Sequence, residues 1–219
     1  MYKRQGIYDH VGGGFARYSV DEKWLVPHFE KMLYDNAQLM EAYLVGYQLT
    51  KNEDYLTVIS QILEWLKDEM IDENGGFYSS MDADSEGVEG KYYVWKPKEI
   101  EEVLSETDAK IFNQYYDISK SGNWEGNSIP NIIMKKSSLS TLLKIPESEI
   151  SSSLEKSRLA IKEHRKSRIA PGTDDKIIVS WNGLMISSLA KVSAFLGDKE
   201  YFEIADRAVS FIVDKMSKD

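Results

Sequence analysis

The sequence predicts an all-α-dominated fold of helical hairpins, of the (α/α) toroid kind, carrying a small β-hairpin insertion. Three observations predict it. Two stretches repeat apolar residues at three- and four-residue spacing, the two stretches resemble each other, and the segment between them reads as short strands and polar loops.

The first helix is expected from about Phe29 to Leu49, with Phe29, Leu33, Met40, Leu44 and Tyr47 on one buried face. Pro27 suits a helix start, and Lys51-Asn52-Glu53 breaks the helix. A second helix carries Tyr55, Ile59, Ile62, Leu63, Leu66 and Met70, and Gly75-Gly76 stops it. So short a connection makes the two helices antiparallel neighbours. Near the C-terminus Trp181, Leu184, Met185, Leu189, Val192 and Phe195 form another stripe, capped by Ser180 and broken at Gly197-Asp198. Tyr201, Phe202, Ala205, Ile212 and Met216 form the next.

The hairpins align. Leu39-Met40 matches Leu184-Met185, and Tyr55-Leu56 matches Tyr201-Phe202, with one inserted residue between the two matches. Repeated hairpins mark toroids and solenoids. Two amphipathic hairpins can also look alike merely because any core stripe is rich in Leu, Met and Tyr.

Between the hairpins, Phe77-Tyr78-Ser79-Ser80 and Lys91-Tyr92-Tyr93-Val94-Trp95 read as two strands pairing around an acidic loop. Pro97 opens a short helix through about Leu104, Asn123 to Asn131 is a polar loop, and a further helix spans about Glu147 to Lys166. Lys162, His164, Arg165, Lys166 and Arg168 gather at its C-terminal end, where cations oppose the helix dipole.

Composition narrows the function classes. The chain has 219 residues, 42% hydrophobic and 29% charged, which fits one ordinary globular domain over 1–219. A net charge of -9 argues against nucleic acid and against an anionic membrane surface. The absence of cysteine removes thiolate metal sites and thiol nucleophiles. With neither a membrane-length apolar run nor the apolar core of a signal peptide at the start, a cytoplasmic location is expected, and no cofactor is called for.

Four segments concentrate chemistry. Gly6 to Tyr18 holds three consecutive glycines amid Tyr8, Asp9, His10, Arg17 and Tyr18. Trp24 to Asn36 places His28, Glu30, Lys31, Tyr34 and Asp35 on the first turns of the expected helix, with His28, Lys31 and Asp35 on one face. The acidic loop Asp82-Ala83-Asp84-Ser85-Glu86-Gly87 begins like a calcium loop, but the required glutamate at its twelfth position is Tyr93, so no metal is assigned. Its carboxylates suit acid/base work instead, and Trp95 behind them suits stacking on a sugar face. The fourth segment carries Asp174, Asp175 and Lys176 ahead of Trp181 and Asn182.

The stretches GIYDHVGGGFARYSVDEKWLVPHFEKMLYDNAQL, MDADSEGVEGKYYVW and DDKIIVSWNGLMI resemble the C-terminal domain of the thioredoxin-domain-containing, spermatogenesis-associated protein 20 type family. The resemblance implies an (α/α)6 toroid like that of six-hairpin glycosidases, N-acylglucosamine 2-epimerases and cellobiose epimerases. It further implies a carbohydrate-type pocket and an N-terminal thioredoxin-like domain. A complete ring needs more helices than this chain holds, so the expectation is a partial ring from a larger protein. Many relatives have histidine at the position of Ala16. The epimerases use a histidine pair, and here His10 and His28 fall in matching motifs, whereas His164 does not.

The expected function is binding or processing of a sugar-like small molecule by epimerase, isomerase or glycoside hydrolase-like chemistry. His28, His10, Asp82, Asp84, Asp174 and Asp175 are the catalytic candidates. Arg17, Tyr18, Glu30, Lys31, Tyr34, Asp35, Glu86, Trp95, Lys176, Trp181 and Asn182 are the substrate-binding candidates. The alternative is a non-catalytic toroid scaffold docking the thioredoxin-like domain or another protein. An incomplete ring leaves apolar helix faces uncovered, so self-association is also expected.

Overall fold

The computed structural model describes residues 2–217. In chain order they form β1 (Tyr18–Ser19), β2 (Pro27–His28), β3 (Lys31–Met32), α1 (Leu33–Thr50), α2 (Asp54–Trp65), β4 (Ser80–Met81), β5 (Asp84–Ser85), β6 (Val88–Glu89), α3 (Pro97–Val103), α4 (Glu106–Tyr115), α5 (Lys136–Leu143), α6 (Glu147–Arg165), β7 (Thr173–Asp174), α7 (Val179–Leu196) and α8 (Lys199–Phe211). Five-residue π-helical turns extend α2 (Leu66–Met70) and α8 (Ile212–Met216). The fold is helix-dominated, with hairpins and a small β-hairpin, as the sequence predicts. The backbone groups into two compact units that interleave along the chain. One comprises Met1–Val11, Tyr18–Phe29 and Ala83–Pro171; the other comprises Gly12–Arg17, Glu30–Asp82 and Gly172–Asp219.

The second unit contains both long hairpins, and their equivalence is closer than the sequence alignment suggests. Leu33 corresponds to Val179 and Leu66 to Ile212, a constant separation of 146 residues, so no insertion is needed. Both first helices have 18 residues and end on a left-handed residue, Lys51 or Gly197. In each loop a side-chain oxygen, on Asn52 or Asp198, accepts the backbone N–H two residues on, at 3.0 Å. The deepest correspondence is an asparagine latch. Asn36 Oδ1 accepts the Phe15 N–H at 2.7 Å, and its Nδ2 donates to the carbonyls of Phe15 and Met32. Asn182 does the same for Phe77, with Ile178 in the place of Met32.

Each latched phenylalanine closes a Gly-Gly-Phe run. At Gly13 (φ 82°) a Cβ would fall 2.0 Å from the Gln61 carbonyl oxygen, and at Gly14 (φ 76°) 2.9 Å from the Trp65 ring. Only glycine permits that backbone conformation and that approach.

The latches explain where the helices begin. The expectation of a helix from about Phe29 is overturned: Pro27–His28 pairs with β1, Lys31–Met32 pairs with β4, and α1 starts at Leu33. Strand pairing claims those backbone groups before the helix can, overriding an apolar period that runs through them. His28, Lys31 and Asp35 therefore do not share a helix face. Likewise α7 starts at Val179 with Ile178 as its extended N-cap residue, not with Ser180, because the Asn182 side chain already engages the Ile178 carbonyl.

The first unit is a smaller helical body. Phe112, Ile100, Trp95, Leu139, Ile150 and Ile161 are the centre of a core shared by α3 to α6. Helices α4 and α5 escaped the periodicity reading, although Ser105 caps α4 by accepting the Asp108 N–H at 3.2 Å. The pairing expected between 77–80 and 91–95 does not occur. Instead Ser85 opposes Val88 across a two-residue turn of Glu86 (φ 54°) and Gly87 (φ 72°), the geometry of a type I′ hairpin.

The basic residues expected at the C-terminal end of α6 lie there, and two of them have a further task. Arg165, 2% exposed, holds Asp9 at 2.8–3.0 Å, while Arg168 donates to the carbonyls of Tyr92 and Val94 and to Glu99. These guanidiniums tie loops down.

Candidate functional site

In the second unit the three-stranded antiparallel sheet β3-β4-β7 sets three chemistry-bearing segments side by side. Lys31 opposes Met81, which opposes Thr173; Met32 opposes Ser80, which opposes Asp174. Two residues beyond each latched phenylalanine the backbone is pinned again. The Arg17 N–H donates to the Glu30 carbonyl at 2.8 Å and the Ser79 N–H to the Asp174 carbonyl at 3.1 Å. Residues distant in sequence are thereby delivered to one place.

The resulting cluster is Arg17, Glu30, Tyr34, Asp35 and Trp181. The Arg17 guanidinium approaches Glu30 Oε2 to 3.5 Å. The field of Tyr34, with which it also hydrogen-bonds, and that of Glu30 hold its proton on more firmly than usual. The Tyr34 and Trp181 rings meet edge to face at 4.7 Å. Asp35 is half-buried, and its Oδ2 has no hydrogen-bond partner among the described residues. Desolvation raises the Asp35 carboxyl above the ordinary carboxylate range, and Glu30 adds to this while Arg17 opposes it. Two carboxylates thus stand in unlike environments, one paired with an arginine and one desolvated. That is the arrangement that lets one act as base and the other as acid.

The other candidates of this unit take different places. Asp174 is gripped by Lys176 at 2.9–3.0 Å, and that bond, with the Lys176 backbone N–H, holds its carboxyl below its ordinary value. Asp175 contributes, after desolvation and Asp72, to raising the Tyr78 phenol. Asp82 is exposed and fixed by its backbone N–H to Gly172. Lys31 is 2% exposed and donates to the Gly13 carbonyl at 2.8 Å, so it supports the glycine run rather than facing a ligand. Asn182 is wholly buried in its latch and cannot reach a substrate.

In the first unit His10 is enclosed by Tyr8 and Tyr116, with Nε2 at 3.1 Å from the Gln5 carbonyl. Burial lowers its pKa to about 4, which keeps it a neutral core residue at pH 7. His28 opposes Tyr18 across β1-β2 and stacks on it at 5.0 Å, its Nδ1 without a hydrogen-bond partner among the described residues. Asp84 and Glu86 lie on the β5-β6 hairpin, Glu86 paired with Lys91 at 2.6 Å. Trp95 is fully buried beneath Arg168, 3.7 Å from its ring centroid, so it offers no face to a sugar.

Sequence reasoning treated Gly75-Gly76 as a helix stop and passed over the latches. The available signal was the repeated Gly-Gly-Phe, at 13–15 and 75–77, together with Asn36 and Asn182 at equivalent places in the two long hairpins.

No family model matches the chain. Human spermatogenesis-associated protein 20 is 35% identical over 241 aligned positions, covering 97% of this chain and 30% of that protein. The mouse protein of the same name is 34% identical with the same coverage. An uncharacterised Caenorhabditis elegans protein is 33% identical, covering 94% of this chain and 32% of its own length. The chain thus spans about 30% of the length of the curated relatives it matches. Among solved structures, a family 76 glycoside hydrolase from a bovine Bacteroides thetaiotaomicron strain aligns with 95% of this chain and 27% of its own, at a TM-score of 0.49 and 12% identity. Cellobiose 2-epimerase from Bacillus thermoamylovorans aligns with 97% of this chain and 67% of its own, at a TM-score of 0.32 and 12% identity.

Proposed function

The chain is homologous, over 97% of its length, to a segment of the spermatogenesis-associated protein 20 family, and from its site geometry we propose that it binds and processes a carbohydrate-type small molecule within a toroid-type domain. The observation that carries this reading is the pairing of desolvated Asp35 with arginine-bound Glu30 beside the Tyr34–Trp181 rings. Asp35 keeps its proton to higher pH than an ordinary carboxyl and serves as general acid. Glu30, 3.5 Å from the Arg17 guanidinium, serves as base or stabilises positive charge developing on a sugar ring. The aromatic pair supplies an apolar wall, and Arg17 orients hydroxyl or carbonyl oxygens. Epimerase, isomerase and glycoside hydrolase chemistry all need such an acid–base pair.

The test is thermal unfolding of the chain against monosaccharides, disaccharides and N-acetyl sugars, followed by product analysis for the sugars that bind. A ligand at about 100 times its Kd adds about 2.7 kcal/mol. Asp35→Asn should keep the stabilisation and lower turnover by about 10²–10⁴-fold. Unchanged turnover in that variant, or no stabilisation by any sugar, would overturn the assignment.

A second reading has its own support. Lys31, Asn36 and Asn182 donate side-chain hydrogen bonds to backbone carbonyls, Arg158 bonds the Val11 carbonyl as well as Glu155, and Arg165 holds Asp9. That fits a non-catalytic toroid scaffold, docking a thioredoxin-like domain or another protein. It predicts that Asp35→Asn behaves as wild type with every sugar.

A further inference from the structure

The first unit holds a cleft of about 660 Å³, within the size range of small-molecule sites. We propose that it is a saccharide-binding site, separate from the Asp35 cluster and built to take a neutral di- or oligosaccharide. Trp124, half-buried and backed by Phe29 at 5.4 Å, supplies the flat wall on which a pyranose ring stacks.

The charges around it are largely matched to one another. Arg168 engages Glu99 at 2.8 Å and Lys91 engages Glu86 at 2.6 Å, while Glu89, Glu125 and Lys96 also line the space. Such a lining gives no strong field for an anion or for a cation. It does present donors and acceptors at close intervals, and the vicinal hydroxyls of a sugar, each able to donate and to accept, satisfy both.

The cleft is edged by two turns of the same build. Glu86 (φ 54°) and Gly87 (φ 72°) form one, and Glu125 (φ 47°) and Gly126 (φ 74°) the other, the second closed by backbone bonds between Trp124 and Asn127 at 2.8 and 3.0 Å. Type I′ turns favour Asn or Asp at their first position. Glutamate there is the less comfortable residue, and in both turns it is one of the residues that line the cleft. The floor is stiff: Arg168 lies across Trp95 and bonds the carbonyls of Tyr92 and Val94. The ligand class is read from the cleft itself, so the inference does not depend on chemistry at Asp35.

The test is isothermal calorimetry of the intact chain with maltose, cellobiose and mannobiose, at up to about tenfold over a millimolar Kd. At least one disaccharide should bind the wild type. Trp124→Ala should weaken it by about tenfold or more, while Trp124→Phe, which keeps an aromatic face, and Asp35→Asn should stay within about threefold. Trp124→Phe also guards against reading lost packing on Phe29 as lost binding. If Trp124→Ala binds every disaccharide as the wild type does, this inference falls, while the Asp35 reading, which is judged on turnover, is untouched. If no disaccharide binds the wild type, it falls as well.

Discussion

His10 shows how a residue singled out by its chemistry becomes a residue of the core. Its imidazole is 4% exposed and packs between two tyrosines, and burial draws its pKa from 6.5 to about 4. Above pH 6.5 the ring is neutral in both folded and unfolded chains, so pH changes nothing through it. Between about 6.5 and 4 the unfolded chain takes up a proton that the folded chain refuses, and stability falls as pH falls, by up to about 3 kcal/mol in all. His10→Gln should be less stable at pH 7 but should lack this part of the acid slope. Urea midpoints of the two proteins at pH 7, 5.5 and 4.5 check it, and parallel pH curves would refute it. Nothing in the letters around His10 distinguishes a catalytic histidine from a buried one. Desolvation is a property of the fold, and His10 owes it to Tyr116, 106 residues further along the chain.

At the scale of elements, apolar periodicity made both long hairpins legible, because helices packed on one face must repeat at that spacing. The starts of α1 and α7 were not, because a latch and a short sheet set them rather than a capping hydroxyl. A β-hairpin insertion was legible, but β5 and β6 fall inside the stretch read as its loop, since Glu-Gly is a less familiar type I′ pair than Asn-Gly. In the candidate site, Arg17, Glu30, Tyr34 and Asp35 were found because crowded titratable groups stand out in sequence. Lys31 and Asn182 stood out equally but turned inward, and only their partners Gly13 and Phe77 reveal that. The latches give a paired prediction. Asn36→Ala and Asn182→Ala each leave a phenylalanine N–H and carbonyl without their buried partners, at about 1–3 kcal/mol per group. Each should therefore cost about 2–6 kcal/mol by urea denaturation, the two agreeing within about 1 kcal/mol. A loss below about 1 kcal/mol at one position would show that its latch is not equivalent to the other.

At the scale of the whole molecule, the interval between latched phenylalanine and latching asparagine sets the architecture. It is 21 residues for Phe15 and Asn36 but 105 for Phe77 and Asn182. The longer interval contains Ala83–Pro171, so one repeat of the hairpin is opened to admit most of the first unit. The outer faces of the second hairpin carry another consequence. On α8 and its π turn, Phe202, Val209 and Val213 recur at near-helical spacing and are 56%, 43% and 57% exposed; on α7, Leu184 and Phe195 are 41% and 42% exposed. Apolar residues aligned on a surface in this way favour burial against a partner. The net charge of -9 opposes that burial between identical chains, through repulsion that salt screens. Association of this 25.1 kDa chain should therefore rise with concentration and be stronger in about 0.5 M NaCl than in about 20 mM, the opposite of a contact held by ion pairs. Sedimentation equilibrium at the two salt concentrations decides it. Phe202→Glu with Val213→Lys, which breaks the stripe without changing net charge, should hold the mass at that of the monomer. A wild type that stays monomeric at high protein and high salt would show that these side chains pack well enough among themselves to need no partner.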